Sequence, residues 1–406
     1  MQKNTFNLAK GIYWVGVNDP TLRVFDITMY TEFGSTYNAY LVIGSEKSAI
    51  IDTAKENYSI DFIAKVESLI DISKVDYLIL NHTEPDHSGS VIKILEKNPT
   101  ITIIASAPGL SNLKEIVNVP FESIRAKDDL KISLGDKTLS FMIQPNLHWP
   151  DTMFTYAEED EVLFTCDYFG AHYSFEGVLS KYMKDREEYV ASMKYYFECI
   201  MEPFKPDVLR ALHLIESLKV KLVATSHGAV VDETFLDHAK ELYRRWGQIE
   251  SKNQVPLVVI PFTSVYGYTR KMIPSIEEGI KKAFDGIVKV EVYDLVDTPV
   301  SDVVARIRKA DGFLIGSTTI LGDAVKPVWD VLTLLNPQVE GGKFASAFGS
   351  YGWSGEAVKF MMERLKQLKM KTVEGLRIRF NPSESQLQDC VNFGFEFGKA
   401  IRSSRE

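Results

Sequence analysis

The sequence of 406 residues has few cysteines. The three that it has, Cys166, Cys199 and Cys390, are too few and too scattered for a disulfide framework, a thiolate zinc site or an iron–sulfur cluster. Such a low cysteine content is typical of a reducing compartment, so we expect a cytoplasmic protein.

Long apolar runs and an excess of positive charge are also missing. No stretch approaches the roughly 18 apolar residues of a transmembrane helix, and the N-terminal residues lack the apolar core of a signal peptide. The formal net charge of −9 argues against a broad electrostatic contact with nucleic acid or anionic lipid. We therefore expect a soluble protein that binds neither nucleic acid nor a membrane.

Histidine is absent from the last part of the chain, because all seven histidines lie at or before His238. This asymmetry accompanies a change in pattern. Residues 1–250 mix predicted strands and helices, which indicates an α/β or α+β domain. A short polar linker follows at residues 251–256. Residues 256–406 alternate five strands with five helices, which predicts a doubly wound parallel sheet.

The most informative segment is Asn81-His82-Thr83-Glu84-Pro85-Asp86-His87-Ser88-Gly89, which follows a predicted strand at Val75–Leu80. It carries four potential metal ligands in six residues: His82, Glu84, Asp86 and His87. Three more candidates each follow another predicted strand, namely His148, Asp167 and His227. Ligands at one edge of a sheet can meet in one site. We predict Ser88 as the N-cap of the next helix.

These seven imidazole and carboxylate groups are too many for one tetrahedral zinc ion. They suit two metal ions that share a carboxylate, and Asp167 is the predicted bridge because it lies between the outer histidines in sequence. A set without thiolate suits iron or manganese as well as zinc. His213 and His238 lie on predicted helices and are expected at the surface, whereas His172 is close enough to Asp167 to support a ligand.

Three loops of the second segment follow predicted strands and combine hydroxyls, glycines and aromatic rings. They contain Ser264, Val265, Tyr266, Gly267, Tyr268 and Thr269; Ser317, Thr318, Thr319, Ile320 and Leu321; and Ser350, Tyr351, Gly352 and Trp353. Neutral donors beside a helix N-terminus can hold a phosphate monoester, and the aromatic rings could stack on a planar group. The loops match neither the Walker motif nor G-x-G-x-x-G.

With these motifs the sequence resembles the flavodiiron proteins, also called A-type flavoproteins. The specific pieces are His82 to Ser90, His148-Trp149-Pro150-Asp151-Thr152, Cys166-Asp167 and His227-Gly228. The resemblance covers nearly the whole chain. It implies a metallo-β-lactamase-like αββα sandwich followed by a flavodoxin-like domain that binds FMN. Hydrolytic members of the lactamase superfamily have H-x-H-x-D-H, whereas Glu84 replaces the second histidine here, which is the family's mark of a non-haem diiron site.

The resemblance also assigns roles to individual residues. It implies one iron held by His82, Glu84 and His148, a second held by Asp86 and His227, and a bridge formed by Asp167. His87 matches a position that is a ligand in some members and is turned away in others. Tyr196 and His172 match positions beside the open face of the irons.

The implied activity is that of an oxidoreductase that reduces dioxygen to water, or nitric oxide to nitrous oxide, and so detoxifies these gases in an anaerobe or microaerophile. The implied partners are a separate electron donor, either rubredoxin or a reduced deazaflavin coenzyme, and further copies of the chain in a head-to-tail homodimer or a tetramer. Two alternatives stay open at this point. One is a dizinc hydrolase with an accessory flavodoxin-like module, which Glu84 argues against, and the other is a flavin electron carrier or sensor with a structural metal domain.

Overall fold

The computed structural model describes residues 4–27, 29–248 and 253–405. Its internal contacts divide the chain into two compact units, residues 1–249 and 250–406. The first two residues of the predicted linker, 251 and 252, lie outside the described residues. None of the helices in the described ranges has the length and apolar character needed to span a lipid bilayer.

In its described residues, the N-terminal unit contains two large sheets, two sheets of two strands each, and helices. Its strands are β1 (Phe6–Ala9), β2 (Ile12–Trp14), β3 (Val17–Asp19), β4 (Val24–Phe25), β5 (Met29–Tyr30), β6 (Ser35–Tyr37), β7 (Tyr40–Ile43), β8 (Ser48–Ile51), β9 (Tyr77–Leu80), β10 (Thr102–Ala105), β11 (Glu122–Arg125), β12 (Lys131–Ser133), β13 (Thr138–Ile143), β14 (Met153–Ala157), β15 (Val162–Cys166) and β16 (Leu222–Thr225). Its α-helices are α1 (Ser59–Glu67), α2 (Pro85–Ser88), α3 (Val91–Lys97), α4 (Ala107–Val117), α5 (Arg186–Tyr196), α6 (Lys205–Ser217) and α7 (Leu236–Trp246).

The two sheets form the predicted αββα sandwich. One has the order β1-β2-β7-β8-β9-β10-β11, and the other has the order β12-β13-β14-β15-β16. Side chains that alternate along each strand fill different layers. In β9, Ile79 packs between the sheets with Phe141 and Phe164, whereas Leu78 packs on the outer layer with Phe62 of α1. This double burial explains the continuous apolar runs of the central strands.

The C-terminal unit is the predicted doubly wound parallel sheet. Its strands are β17 (Leu257–Phe262), β18 (Lys289–Asp294), β19 (Gly312–Gly316), β20 (Thr319–Ile320), β21 (Asp323–Ala324), β22 (Phe344–Tyr351), β23 (Lys371–Thr372) and β24 (Leu376–Arg379). Its helices are α8 (Tyr268–Ala283), α9 (Val300–Lys309), α10 (Lys326–Leu334), α11 (Glu356–Gln367) and α12 (Glu384–Ser403). The sheet order is β18-β17-β19-β22-β23, with β24 also paired to β22. The order reverses between β17 and β19, where such folds bind their ligands.

Two local predictions need correction. Ser88 is the last residue of α2 rather than a helix N-cap, and Ser90 precedes α3 instead. The Ser88 hydroxyl donates to the Thr83 carbonyl at 2.9 Å, so it braces the loop that carries the candidate ligands. In the second unit, the segment after β19 contains the short hairpin β20–β21, which turns through Leu321 and Gly322 at positive φ. Strands of two residues are too short to leave a periodic sequence pattern.

Candidate metal centre

The loops that follow four strands bring the seven candidate ligands of the first unit together. The β9 loop and α2 carry His82, Glu84, Asp86 and His87, the connection from β13 to β14 carries His148, and β15 and β16 are followed by Asp167 and His227. β9 belongs to one sheet and the other three strands to the facing sheet. The site therefore lies where the edges of both sheets meet.

Three side chains surround one point on the first side of Asp167. The Glu84 carboxylate oxygen Oε2 lies 3.1 Å from His82 Nε2 and 3.2 Å from His148 Nε2. The Oδ2 atom of Asp167 lies 3.8 and 3.7 Å from the same two nitrogens. With metal–ligand bonds of about 2.1 Å, neighbouring ligand atoms on one ion stand about 3.0–3.5 Å apart. The group thus has close to the spacing that one metal ion requires.

A second group lies on the other side of Asp167. His227 Nε2 is 3.0 Å from Asp86 Oδ2, and His87 Nε2 is 3.3 Å from Asp86 Oδ1. The Oδ1 atom of Asp167 lies 3.3 Å from His87 Nε2 and 3.6 Å from His227 Nε2. His87 therefore turns its Nε2 into the site. The two oxygens of Asp167 face different groups, which is the arrangement of a bridging carboxylate.

The charge and hydrogen bonding of the cluster fit two bound cations. Both carboxylate oxygens of Asp86 and the Oδ2 atom of Asp167 are buried without a hydrogen-bond partner among the described residues. Three carboxylates accompany four imidazoles, and two divalent ions would offset the buried negative charge. Burial works to raise the pKa of the Asp167 carboxyl, but the imidazoles of His87 and His82 hold that pKa well below its usual range. The carboxylate is thus present in the ionised form that binds a metal.

Groups behind the candidate ligands fix their orientation. The Asp151 carboxylate lies 3.1 Å from His82 Nδ1, and the Thr36 carbonyl accepts from His227 Nδ1 at 2.6 Å. Each contact leaves the Nε2 lone pair free for a metal. The Ser226 and Tyr196 hydroxyls donate to Asp167 Oδ1 at 2.6 and 2.9 Å.

Several of the groups that hold the ligands were not predicted from the sequence. Asp151 has a sequence signal, since it follows His148 by three residues within a motif of the family, and Ser226 directly precedes His227. Thr36 has no such signal, because it belongs to β6, a strand of three residues. Its place beside the ligands depends on how distant segments pack.

His172 lies beside the second group rather than in it. Its Nδ1 is 2.8 Å from the Ser35 hydroxyl, its Nε2 has no hydrogen-bond partner among the described residues, and its ring centroid is 4.9 Å from that of His227. Phe25 covers the ring at a centroid distance of 4.2 Å. Burial and the neighbouring His227 hold the pKa of His172 well below its usual range, so the ring is neutral. By contrast, His213 and His238 are exposed, as expected.

Cys166 is a further group near the site that the sequence did not suggest as a ligand. Its sulfur lies near possible ligand atoms of His87 and Asp167. Burial, together with the charge of Asp167, raises the pKa of this thiol well above its usual value. A neutral thiol is a poor metal ligand, because metals bind the thiolate.

In the second unit, the three predicted loops meet through their hydroxyl groups. Thr269, in the first turn of α8, has its Oγ1 2.8 Å from Ser350 Oγ and 3.4 Å from Thr318 Oγ1. The backbone N–H of Val265 donates to Thr318 Oγ1 at 3.4 Å. The Thr263 hydroxyl, at the start of the first of these loops, is buried without a hydrogen-bond partner among the described residues. These donors border the N-terminus of a helix of 16 residues, which favours a phosphate.

The remaining predicted residues of these loops surround the hydroxyls in different ways. Gly267 has φ of +80° as the residue before α8, and an added Cβ would meet nothing within 4 Å, so a ligand can approach its backbone. Tyr266 and Trp353 are exposed, with 82% and 96% of their surfaces accessible, and so are available to stack on a ring. Ser264 caps the N–H of Arg270 at 3.2 Å, and Ser317 donates to the Thr318 carbonyl at 2.9 Å. Tyr268 is the first residue of α8, and Thr319 and Ile320 form β20. Leu321 is fully exposed. Tyr351 is the last residue of β22, and Gly352 follows it.

Comparison with known proteins agrees with both units. Residues 36–228 match the family described as ODP family beta lactamase, and residues 260–394 match the flavodoxin family. The chain is 39% identical to the flavo-diiron protein FprA2 of Clostridium acetobutylicum over 97% of this chain and 99% of that protein. This chain belongs to the flavodiiron proteins.

Other relatives of this flavodiiron protein have informative names. The chain is 32% identical to the anaerobic nitric oxide reductase flavorubredoxin of Pectobacterium atrosepticum, over 97% of this chain and 77% of that protein. The solved structure of rubredoxin oxygen:oxidoreductase from Desulfovibrio gigas covers 99% of this chain and 100% of its own, with a TM-score of 0.72 and 24% identity. The last comparison confirms the predicted two-domain fold.

Proposed function

We propose that this flavodiiron protein reduces dioxygen or nitric oxide at two iron ions that receive electrons through FMN. The proposal rests on the position of the Asp167 carboxylate between two groups of candidate ligands. Its Oδ2 faces one group of three side chains, and its Oδ1 faces the other. Family membership supplies the iron and the flavin, and the relative named a nitric oxide reductase supports the gas substrate.

In this proposal each iron would be held by three side chains of its own and by Asp167. One set is His82, Glu84 and His148, and the other is Asp86, His87 and His227. His87 is included because its Nε2 lies 3.3 Å from both Asp86 and Asp167. Glu84 gives the first set a carboxylate, which favours iron over the zinc of an imidazole-rich site.

In this proposal the metal ions and the flavin supply electrons, and the surrounding side chains hold the ligands and limit the access of water. When bound, two ferrous ions and reduced FMN would supply the four electrons that convert dioxygen to water, and two electrons would suffice to convert two nitric oxide molecules to nitrous oxide and water. The hydroxyls of Ser226 and Tyr196 fix the bridging carboxylate. Phe25 and the neutral ring of His172 pack against His227, and they limit the water that reaches it.

The FMN phosphate is proposed to lie among the hydroxyls of Thr263, Thr269, Thr318 and Ser350, at the N-terminus of α8. The ring system is proposed to lie against Tyr266 and Trp353, two exposed aromatic side chains in loops at this edge of the sheet. Neutral donors and a helix N-terminus balance the phosphate charge without a bound cation.

The decisive experiment is anaerobic reduction followed by rapid mixing with each gas in turn. Reoxidation of FMN and iron by dioxygen or nitric oxide much faster than by anaerobic buffer is the expected result, and the ratio of the two rates gives the preferred substrate. Equal rates with gas and with buffer would overturn the proposal. Metal analysis of the same sample should give two iron ions per chain, whereas two zinc ions would favour hydrolase chemistry.

The partners of the reaction are part of the same proposal. The three cysteines of this sequence are too few to supply a four-cysteine iron site, so a rubredoxin or a reduced deazaflavin coenzyme is proposed to deliver the electrons. The name flavorubredoxin supports the first donor. The low cysteine content also suits a cytoplasmic setting.

We further propose that two chains associate head to tail, as dimers or as pairs within a tetramer, so that the FMN of one chain reduces the irons of the other. Mixing a variant that lacks iron with one that lacks FMN tests this directly. Hybrid pairs should regain activity that neither variant has alone. No recovery, with hybrid formation verified by differential tagging, would contradict the head-to-tail arrangement.

A further inference from the structure

A line of aromatic rings connects the candidate metal centre with the surface of the first unit. The ring of Tyr37 is 5.9 Å from that of His227, centroid to centroid, and the ring of Tyr58 is 5.4 Å from that of Tyr37. Tyr37 is buried. Tyr58 is half-buried and lines a cavity of about 490 Å³ together with Lys65 and Phe175.

The backbone adds a second link at the inner end of this line. The His227 Nδ1 atom is hydrogen-bonded to the Thr36 carbonyl at 2.6 Å, and Thr36 precedes Tyr37 in the chain. At the outer end, Asn18 and Pro20, the chain neighbours of Asp19, line the same cavity as Tyr58, and burial together with the Asp19 carboxylate raises the pKa of Tyr58. Asp19 can therefore accept the phenolic proton when Tyr58 loses an electron.

We propose that Tyr37 and Tyr58 carry oxidising equivalents away from the diiron centre when FMN fails to supply electrons in time. This function goes beyond gas reduction but rests on the proposed diiron chemistry. Tyrosine is oxidised only by strong oxidants, so the line cannot serve the low-potential electrons that flavins carry. The two tyrosines would therefore react only with strong oxidants that form when dioxygen or peroxide receives too few electrons at the metal centre.

The proposed step moves one electron toward the metal centre and one proton from Tyr58 to Asp19. One electron leaves Tyr58, passes through Tyr37 and reduces the oxidised centre, while the Tyr58 O–H bond breaks and its proton moves to an Asp19 oxygen. The neutral tyrosyl radical then takes one electron from a small reductant, such as ascorbate or a thiol, that reaches the cavity. It recovers its proton from Asp19, and the proton of the oxidised reductant is released to solvent. The centre is spared the oxidation of its own ligands.

Two other aromatic residues near the ligands are less suited to this role. The Tyr196 hydroxyl donates to Asp167, so its oxidation would force a proton onto a carboxylate proposed to bind both irons. The Trp149 ring is 5.1 Å from His82, but no hydrogen-bond acceptor accompanies its indole nitrogen among the described residues. Within the part of the chain that the structure describes, only the Tyr37–Tyr58 line pairs ring contacts with a carboxylate that is not a proposed ligand.

The test adds hydrogen peroxide to the oxidised, iron-loaded holoprotein, freezes the mixture within milliseconds and records electron paramagnetic resonance spectra. Wild type is expected to give a tyrosyl signal that narrows when ring-deuterated tyrosine is incorporated. Tyr58→Phe should move oxidation inward to Tyr37, and Tyr37→Phe should abolish the oxidation of Tyr58, as read by peptide mass spectrometry. Metal-free protein should give no signal.

The control variant is Tyr77→Phe, because Tyr77 is half-buried like Tyr58 but bonds Lys47 instead of a carboxylate. It should behave as wild type. An unchanged radical in Tyr37→Phe, or a signal lost only in Trp149→Phe, would overturn the proposal. Iron content and FMN absorbance show that each variant is folded and loaded. Gas-driven reoxidation of reduced wild type, measured separately, decides the proposed function independently of the radical.

Discussion

The carboxylate of Asp151 lies 3.1 Å from Nδ1 of His82 and so directs the Nε2 of that histidine toward Glu84 and Asp167. The same carboxylate accepts hydrogen bonds from the Thr83 N–H at 2.8 Å and the Thr83 hydroxyl at 2.6 Å. Asp151 thus connects a candidate ligand with the backbone of the loop that carries it. Although burial and the Asp151 interaction oppose each other, the net effect is a pKa of His82 well above its usual value.

Asp151→Asn should weaken iron binding by about 10–100-fold, because the amide keeps the shape of the side chain but loses the charge that makes His82 a strong donor. Competition with a chromophoric chelator measures this change. Asp237→Asn, at an exposed position of α7, should bind iron as wild type does. Equal iron affinity in Asp151→Asn and wild type would show that the carboxylate does not support a ligand.

Glu84→His should shift the metal preference from iron toward zinc. The change creates H-x-H-x-D-H and replaces a carboxylate whose Oε2 lies 3.1 and 3.2 Å from two imidazoles by a third imidazole. Nitrogen-rich sites without a hard carboxylate favour zinc. The zinc-to-iron ratio after expression with both metals should rise severalfold, as measured by mass spectrometry of the metals. Glu46→His, on a surface turn, is the matched control, and an unchanged ratio would contradict the role given to Glu84.

The sequence was most informative where a ligand directly follows a regular strand. The strands predicted before Asp167 and His227 are present as β15 and β16, and the two residues follow them as expected. Strong apolar runs determine where such strands end, and the strand ends determine which loops share an edge. The sequence alone therefore predicted that the H-x-E-x-D-H motif follows a strand and meets the other ligands at the same edge.

Contacts made by short or irregular segments could not be predicted in this way. Phe25 and Thr36 reach the site from β4 and β6, strands of two and three residues, and their positions depend on packing between distant parts of the chain. Likewise, the turn at Leu321 requires positive φ, for which leucine gives no signal. Local pattern thus specified the ligands, whereas tertiary packing specified the groups that hold them.

The stability of the first unit should depend on pH through Lys65. Its ammonium group donates to the Gly16 carbonyl at 2.6 Å and lies 4.5 Å from the Trp14 ring centroid. Burial lowers the pKa of Lys65 to about 8, whereas an unfolded lysine has a pKa of about 10.4. Between these values the unfolded chain binds more protons than the folded chain, so this group makes stability rise with pH.

Lys65→Met removes the titrating group. The melting temperature of wild type minus that of the variant should therefore increase by a few degrees as pH rises from about 8 to about 10.4, and should be constant below that window. Lys93→Met, at an exposed position of α3, is the control and should show no such trend. A difference that stays flat across the window would mean that Lys65 titrates alike in the folded and unfolded chains.

Thr269→Val should weaken FMN binding without affecting iron. The Thr269 hydroxyl lies 2.8 Å from Ser350 Oγ and also accepts from the Ser350 N–H at 3.3 Å, so it holds two of the loops proposed to surround the phosphate. Valine keeps the shape of the side chain but removes this donor and leaves the buried Ser350 groups short of a partner. The loss of about 1–2 kcal/mol expected for such a change corresponds to an FMN affinity lower by about 5-fold to 30-fold. Quenching of FMN fluorescence on titration with flavin-free protein measures this affinity.

The control variant is Thr333→Val, because the Thr333 hydroxyl bonds the Asp330 carbonyl within α10, and it should retain full FMN affinity. If Thr269→Val also binds FMN as tightly as wild type while keeping its iron, the phosphate must lie elsewhere than among these hydroxyls.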